Sequence, residues 1–390
     1  MITFGANSPR LLYVVSEDWY FISHRLPMAR AARNAGFEVH VATRVKDDAA
    51  AIEAEGFVLH PIPFARGRLS PLASLATIRA LRRAHHVVDP ALVHHVSLQT
   101  SVLGLIAAFD RPVPKINALT GLGYLFTSTA AKARFAKPIS EAALRLLLNR
   151  HGISNLVQNI DDRAALVALG VEPSRIALIH GSGVDTSRFL PLPEPSGPVT
   201  IAFVGRLLED KGIRTLVTAH RLLRAKGSDI QLLIAGTPDP ANPASITEQE
   251  AMSWNKEPGI SWLGHVKDIS GLWKRAHLAV LPSRREGLPL SLLEAAASQR
   301  AMIASDVPGC REIVVHEQTG LLFPADDASV LSAAIARLSQ ASDLRARYAA
   351  AARKKVVEEF SADVIGEQVV QLYRRILDPT SQANQRTTIR

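Results

Sequence analysis

Two stretches of the chain gather side chains suited to holding an anion and a polyol. The first is Gly205-Arg-Leu-Leu-Glu-Asp-Lys-Gly212, which follows the apolar run Val199–Val204 and precedes a helical pattern. Glycine lets a ligand approach the backbone closely. Arg206 and Lys211 set two cations near a helix start, where anions are favoured. A diphosphate is the natural ligand, although a strand-to-helix loop can also carry two surface cations for solubility alone. It is not a Walker loop, because no Gly-Lys-Ser/Thr follows.

The second stretch is Pro282-Ser-Arg-Arg-Glu-Gly-Leu-Pro-Leu-Ser-Leu-Leu-Glu-Ala295. Pro289 suits the first turn of a helix, and the N–H groups between Gly287 and Leu290 are then expected to point at the cleft, where an anion can bind. Glu286 falls in the loop before that helix. Glu294 lies two turns on, within an apolar stretch. Burying its carboxylate there is costly without a partner, so a ligand hydroxyl is plausible; a surface helix glutamate fits the same pattern.

Both stretches follow strands, and the elements around them explain why. In the first half, β-like runs at Leu11–Val15, Glu38–Ala42, Leu59–Pro63 and Leu92–Val96 alternate with helical patterns near 25–35, 71–86 and 101–109. The proline- and glycine-rich run Leu192–Pro198 reads as a linker. The alternation then restarts with strands at Val199–Val204, Ile230–Ala235, Ser261–Gly264, Leu278–Pro282 and Ala301–Ser305. Strand and helix in turn give a parallel sheet with right-handed crossovers. The expected fold is therefore α/β, with two Rossmann-like domains facing across a cleft and ligands beyond the carboxyl ends of the strands. The domains are expected at 1–190 and 191–360. The helix at about 361–378 is assigned to the first, followed by a frayed tail at 379–390.

Composition narrows the classes. The chain has 390 residues, 47% of them hydrophobic and 21% charged, which excludes wholesale disorder. A single cysteine, Cys310, excludes an intramolecular disulfide framework and a cysteine-based zinc site. The net charge is +9, and residues 66–150 alone hold 12 basic and 3 acidic side chains. Such a face attracts nucleic acid, anionic lipid or a phosphorylated small molecule. Aromatic residues are only 5%, with no basic-aromatic phrase, so no nucleic-acid partner is expected. The histidines at 85, 86, 94 and 95 lack acidic companions at zinc spacing, and no Asp-x-Asp occurs, so no metal is expected. No secretory signal is visible, and the longest apolar stretch, around Val102–Phe109, is far short of the ~20 residues that span a bilayer.

Taken together, the two loops resemble those of the GT-B glycosyltransferases, in particular the retaining family 4 enzymes. Their Glu-x7-Glu element is matched by Glu286 and Glu294. Their Gly-Arg…Lys-Gly loop is matched by Gly205, Arg206, Lys211 and Gly212. Two further phrases are similar: Gly181-Ser-Gly-Val-Asp185 with Phe189, and Pro308-Gly-Cys-Arg-Glu-Ile313 with Gly320-Leu-Leu-Phe323. The resemblance is strong over about 175–360. It implies that Arg206 and Lys211 bind the donor diphosphate, that Glu294 holds the ribose hydroxyls and that Glu286 meets the transferred sugar. The amides of Gly287 and Leu288 would add anion stabilisation. No cofactor is implied, since the nucleotide sugar is a co-substrate.

On the acceptor side, Ser16–Pro27 is similar to a Phe-x-Ser-His-Arg-Leu-Pro loop of bacterial family 4 enzymes that extend lipid-linked sugars. This nominates Ser23, His24 and Arg25, with His24 also as a catalytic candidate. Thr120-Gly-Leu-Gly123 is a second candidate loop, through Gly121 and Gly123. Relatives place a histidine in that region, but none stands here between Leu98 and His151. Residues 130–150 are basic and amphipathic, fit to lie on an anionic bilayer surface or to pack on their own domain.

The resemblance thus implies a metal-independent enzyme moving a hexose or N-acetylhexosamine from a nucleotide sugar with retention, a UDP-sugar being the expected donor. The expected acceptor is a lipid-linked saccharide of bacterial surface-polysaccharide assembly. The expected location is the cytoplasm, peripheral on the inner face of the cytoplasmic membrane. Two alternatives share the motifs: a sugar-nucleotide epimerase of the same fold, and a non-catalytic nucleotide-sugar-binding partner of another transferase.

Overall fold

The computed structural model describes residues 8–65, 70–119 and 141–378. The chain forms two compact units. The first comprises Met1–Ser182 and Ala362–Arg390, the second Gly183–Ser361.

The first unit holds seven strands: β1 Arg10–Val15, β2 Glu38–Thr43, β3 Val58–Pro61, β4 Leu92–Val96, β5 Lys115–Ala118, β6 Ile153–Val157 and β7 Ile176–Leu178. Their order is β3-β2-β1-β4-β5-β6-β7, parallel throughout. Residues 11–15 are all buried, as expected of a strand covered on both faces. Alternation divides them. Leu11, Tyr13 and Val15 join one core with Met28, Val41, Ile365 and Tyr373. Leu12 and Val14 join another with Leu81, Val93 and Leu103.

The helix Ala362–Leu377 brings the chain back to this unit. It buries Ile365, Val369, Leu372 and Tyr373, one stripe at helical spacing. It packs on the helix Leu26–Asn34. A Cβ on Gly366 would stand 2.7 Å from Cβ of Ala31, so a glycine allows the two helices to meet closely.

The second unit holds β8 Thr200–Val204, β9 Gln231–Ala235, β10 Ile260–Gly264, β11 Leu278–Leu281, β12 Ala301–Ser305 and β13 Gly320–Phe323. Their order is β10-β9-β8-β11-β12-β13, again all parallel. Each sheet reverses its order once, between β1 and β4 and between β8 and β11. Such a reversal parts the flanking crossovers and opens a crevice at the carboxyl ends of the two strands.

Two sequence expectations shift. The division falls at Ser182/Gly183, earlier than residue 190, because the following turn belongs to the second unit. Val184 N–H donates to Phe360 O at 2.9 Å, and Phe189 is buried in that unit's core. The proline-rich run at 192–198 is likewise fastened to the second unit. Leu192 N–H donates to Ser298 O, Arg300 donates to Pro193 O, and Arg345 pairs with Glu194 at 2.8 Å. The second shift concerns Ser16–Pro27. It is not an open loop but mostly the helix Asp18–His24, separated at Arg25 from the helix starting at Leu26.

Candidate active site

The loops after β8 and β11 sit side by side at the reversal point of the second sheet, and glycines fix how closely they meet. Gly212 has φ of +65° and joins the short turn Glu209–Lys211 to the helix Ile213–Ala225. A Cβ there would lie 1.9 Å from the carbonyl oxygen of Pro282. Gly236, after β9, would place a Cβ 1.8 Å from Gly205 O. Gly309, after β12, would place one 2.4 Å from Gly287 O. Backbone thus presses on backbone from both sides of the two loops. Arg284 N–H donates to Asp210 O at 2.8 Å, and the Arg285 guanidinium meets the Asp210 carboxylate at 2.7 Å.

This framework brings Lys211 and Glu286 together. Lys211 Nζ lies 2.6 Å from Glu286 Oε1, and Ser283 Oγ donates to the same oxygen at 2.7 Å. The Glu286 side chain is only 8% exposed. Arg206, half exposed on the same loop, pairs with Asp239 at 3.0 Å. Both cations expected to meet a diphosphate are therefore paired with carboxylates. Gly205 differs from its neighbouring glycines. A Cβ there would meet only the Phe203 ring, at 3.3 Å, so packing alone does not demand glycine.

The helix Leu290–Ala297 begins after Pro289, its N-cap, with no side chain capping it. Uncapped N-terminal amides carry the partial positive charge of the helix start. Glu294, on that helix, is partly buried and has no hydrogen-bond partner for its carboxyl among the described residues. Burial pushes its pKa up to about 8, against a smaller downward pull from Arg188. An unpartnered carboxyl in a desolvated place is what a hydroxyl-bearing ligand can satisfy.

In the first unit, Ser23 and His24 end the helix after β1. Ser23 Oγ lies 2.6 Å from His24 Nδ1, and the Tyr20 ring stacks on His24 at 4.2 Å. Ser23 is exposed and His24 partly so, and both can meet a ligand. Arg25 cannot. It is 1% exposed, its Nε and Nη2 have no hydrogen-bond partner among the described residues, and its Nη1 rests 3.5 Å from Met28 Sδ. The break between the two helices turns it inward, so its acceptor-side assignment is corrected. Thr120, Gly121 and Gly123, and the basic residues of 130–140, lie outside the described residues. Among the described residues no group of three or more His, Cys, Asp or Glu side chains is arranged to hold a metal.

Ser283, Asp239 and Asp210 contact the candidate residues Glu286 and Arg206 or their loop without having been singled out in the sequence. Ser283 stands next to Pro282 in a phrase already suspected; Asp239 lies in a polar loop with no distinguishing signal.

Two parallel Rossmann-like sheets, with a basic loop and a Glu-x7-Glu helix start at one reversal point, define a glycosyltransferase of the GT-B fold. The family described as Glycosyl transferases group 1 matches residues 198–341, and that described as Glycosyl transferase 4-like matches residues 10–157. The chain belongs to the family 4 GT-B glycosyltransferases. It is 23% identical to the capsular polysaccharide biosynthesis glycosyltransferase CapM of Staphylococcus aureus, over 91% of this chain and 96% of that protein. It is also 23% identical to the N,N'-diacetylbacillosaminyl-diphospho-undecaprenol alpha-1,3-N-acetylgalactosaminyltransferase of Campylobacter jejuni, over 92% and 98%. Among solved structures it resembles Anabaena HepE in complex with UDP and glucose, with a TM-score of 0.76, 16% identity, and 94% and 99% of the two chains covered.

Proposed function

We propose that this enzyme transfers a hexose or N-acetylhexosamine from a UDP-sugar to a lipid-linked saccharide, with retention of configuration and without a metal. The observation that carries the donor reading is the Lys211–Glu286 contact together with Glu294 on the helix that follows, a desolvated carboxyl without a hydrogen-bond partner among the described residues. In this reading Glu294 takes the ribose hydroxyls and Glu286 the transferred sugar. Arg206, Lys211 and the amides of Gly287 and Leu288 take the diphosphate. Anabaena HepE, whose structure holds UDP and glucose, supports the choice of base, and the Campylobacter relative, named for a diphospho-undecaprenol acceptor, supports the choice of acceptor.

The chemistry follows from charge. The bond between the anomeric carbon and the diphosphate oxygen breaks while the acceptor oxygen bonds to that carbon. Negative charge develops on the leaving diphosphate, and fixed cations and N–H groups aimed at it lower the barrier. The acceptor's proton passes to an oxygen of the departing phosphate. No side-chain base is then required on the face where the sugar is held. His24, with Ser23 at its ring, is assigned to the acceptor.

The acceptor reading places the first unit against an anionic membrane surface. Support comes from exposed apolar side chains, Leu72 at 80% and Leu146 at 73% exposure, and from Arg150, which lies over the exposed Phe109 ring at 3.7 Å. No described helix is long and apolar enough to cross a membrane.

The test is a donor screen in EDTA. The pure protein is incubated with nucleotide sugars, with and without membrane lipid extract, and nucleoside diphosphate release is followed. Lipid-dependent UDP release in EDTA is expected. Conversion of a UDP-sugar without UDP release would instead establish an epimerase, and release only with added Mg2+ or Mn2+ would overturn metal independence.

A further inference from the structure

We propose that Ser283 is a positioning residue for the transfer, acting through Glu286. The inference rests on the reading that Glu286 faces the transferred sugar. Ser283 follows β11 and is 0% exposed, so it touches neither solvent nor an arriving substrate directly. Its Oγ donates to Glu286 Oε1 at 2.7 Å.

The Glu286 carboxylate has two oxygens, and the protein uses them unequally. Oε1 receives both Ser283 Oγ and Lys211 Nζ. Oε2 has no hydrogen-bond partner among the described residues. The terminal torsion of a glutamate is broad and roughly two-fold, so a carboxylate needs a fixed donor to hold one face toward a ligand. Lys211 is a poor anchor. Its ammonium rides a flexible four-carbon stem, and it is also the cation assigned to the diphosphate. When the diphosphate draws Lys211 away, Ser283 is the donor that remains.

The backbone holds that donor in place. The carbonyl of Pro282, the preceding residue, lies under Gly212, and Arg284 N–H, the following one, is bound to Asp210 O. Ser283 therefore has fixed neighbours on both sides, and its hydroxyl presents Glu286 with Oε2 outward. A productive geometry depends on such support, because small misplacement of a contacting group costs rate.

The experiment compares Ser283→Ala, Ser283→Cys, Glu286→Gln and the double variant Ser283→Ala/Glu286→Gln. UDP release is measured with the UDP-sugar the screen selects and with lipid extract as acceptor. UDP affinity is measured by calorimetry. For Ser283→Ala we expect kcat to fall about tenfold, KM for the donor to change less than about threefold, and UDP affinity to stay within about twofold. Ser283→Cys keeps the shape with a weaker donor and should fall between wild type and Ser283→Ala; it carries the test if the alanine variant does not fold. The double variant should be no slower than Glu286→Gln, since two residues acting through one group are not additive. A folded Ser283→Ala with wild-type kcat overturns the proposal, as do additive losses in the double variant. Wild-type kcat in Glu286→Gln would instead sink the assignment of Glu286 on which it rests.

Discussion

Gly212 and Pro282 meet so closely that a single added carbon on the first would stand 1.9 Å from the carbonyl oxygen of the second. This contact sets the spacing of the two loops that carry Lys211 and Glu286. Gly212→Ala must push the loops apart and also strain a backbone at φ of +65°. Gly227 provides the control, since its φ is +83° but nothing lies within 4 Å. Gly227→Ala should cost about 1 kcal/mol in stability, the strain alone, with kcat unchanged. Gly212→Ala should cost more and lower turnover at least about tenfold. Equal activities in the two variants would remove the spacing argument.

The ion pair at the centre of the site predicts a specific pattern of loss. Lys211→Ala and Glu286→Ala should each reduce turnover at least about tenfold with the fold intact by circular dichroism. Each removes a group assigned to charge or sugar in the transition state, and each leaves a part-buried partner unpaired. If Lys211 serves the diphosphate, Lys211→Ala should also weaken UDP binding, whereas Glu286→Ala should leave UDP binding nearly as it is. Wild-type turnover in both variants would refute the site.

Much of this site is legible in the sequence because its residues lie in two short phrases, each after an apolar strand run. Glu286 and Glu294 share one loop and helix, and Gly205 to Gly212 form one turn. The partners are not legible. Lys211 and Glu286 are 75 residues apart, and Arg206 and Asp239 are 33 apart, so only the strand order brings them together. Strands β5, β6, β7 and β13 are also missed. Lys115-Ile-Asn-Ala118 is short and carries a lysine, yet it is buried because Lys115 Nζ donates to the carbonyls of Arg111 and Val113. Arg25 misleads for the converse reason. Beside Ser23 and His24 it looks functional, but a helix break one residue later turns it into the core.

That buried guanidinium has an expected consequence. Among the described residues Arg25 has no carboxylate partner, and an unpaired buried charge is strongly unfavourable. Arg25→Met keeps the stem's packing beside Met28 and removes the charge, so the thermal midpoint should hold or rise. Acceptor KM should stay within about threefold, while His24→Ala should raise it. A sharp loss of acceptor use in a folded Arg25→Met would restore a direct role for this residue.

His85, His94 and His95 are expected to contribute acid sensitivity to the first unit. Burial lowers His85 to about 3 and His95 to about 4, and holds His94 well below the ordinary range. In each case the folded value lies below the unfolded one, so the unfolded chain takes up protons first as pH falls. Their stability contribution is complete above about 6.5 and is lost as pH drops toward 4 and 3. Each such group costs at most about 1.4 kcal/mol per pH unit in that window. Thermal midpoints should fall between pH 7 and pH 5, with a shallower slope for His85→Leu, since the His85 ring nitrogens have no hydrogen-bond partners among the described residues to lose. Parallel slopes for the two proteins would exclude His85 as a source.

Glu294 predicts the opposite sign in the second unit. Burial raises its pKa to about 8, so the folded state holds its proton more tightly than the unfolded chain does. The stability this gives is complete below about 4.5 and is lost as pH rises through about 8. Glu294→Gln, which needs no proton, should therefore be more stable than the wild type at pH 9 and differ less at pH 5. Ligand binding should run the other way. If the ionised carboxylate accepts both ribose hydroxyls, UDP affinity should rise with pH up to about 8 and then level, with a proton released on binding below that point. Calorimetry in two buffers of different ionisation enthalpy measures that proton directly. Glu294→Gln should bind UDP at least about tenfold more weakly and without pH dependence between 6 and 9. A wild-type UDP affinity that is flat across this range would mean that Glu294 does not hold the ribose.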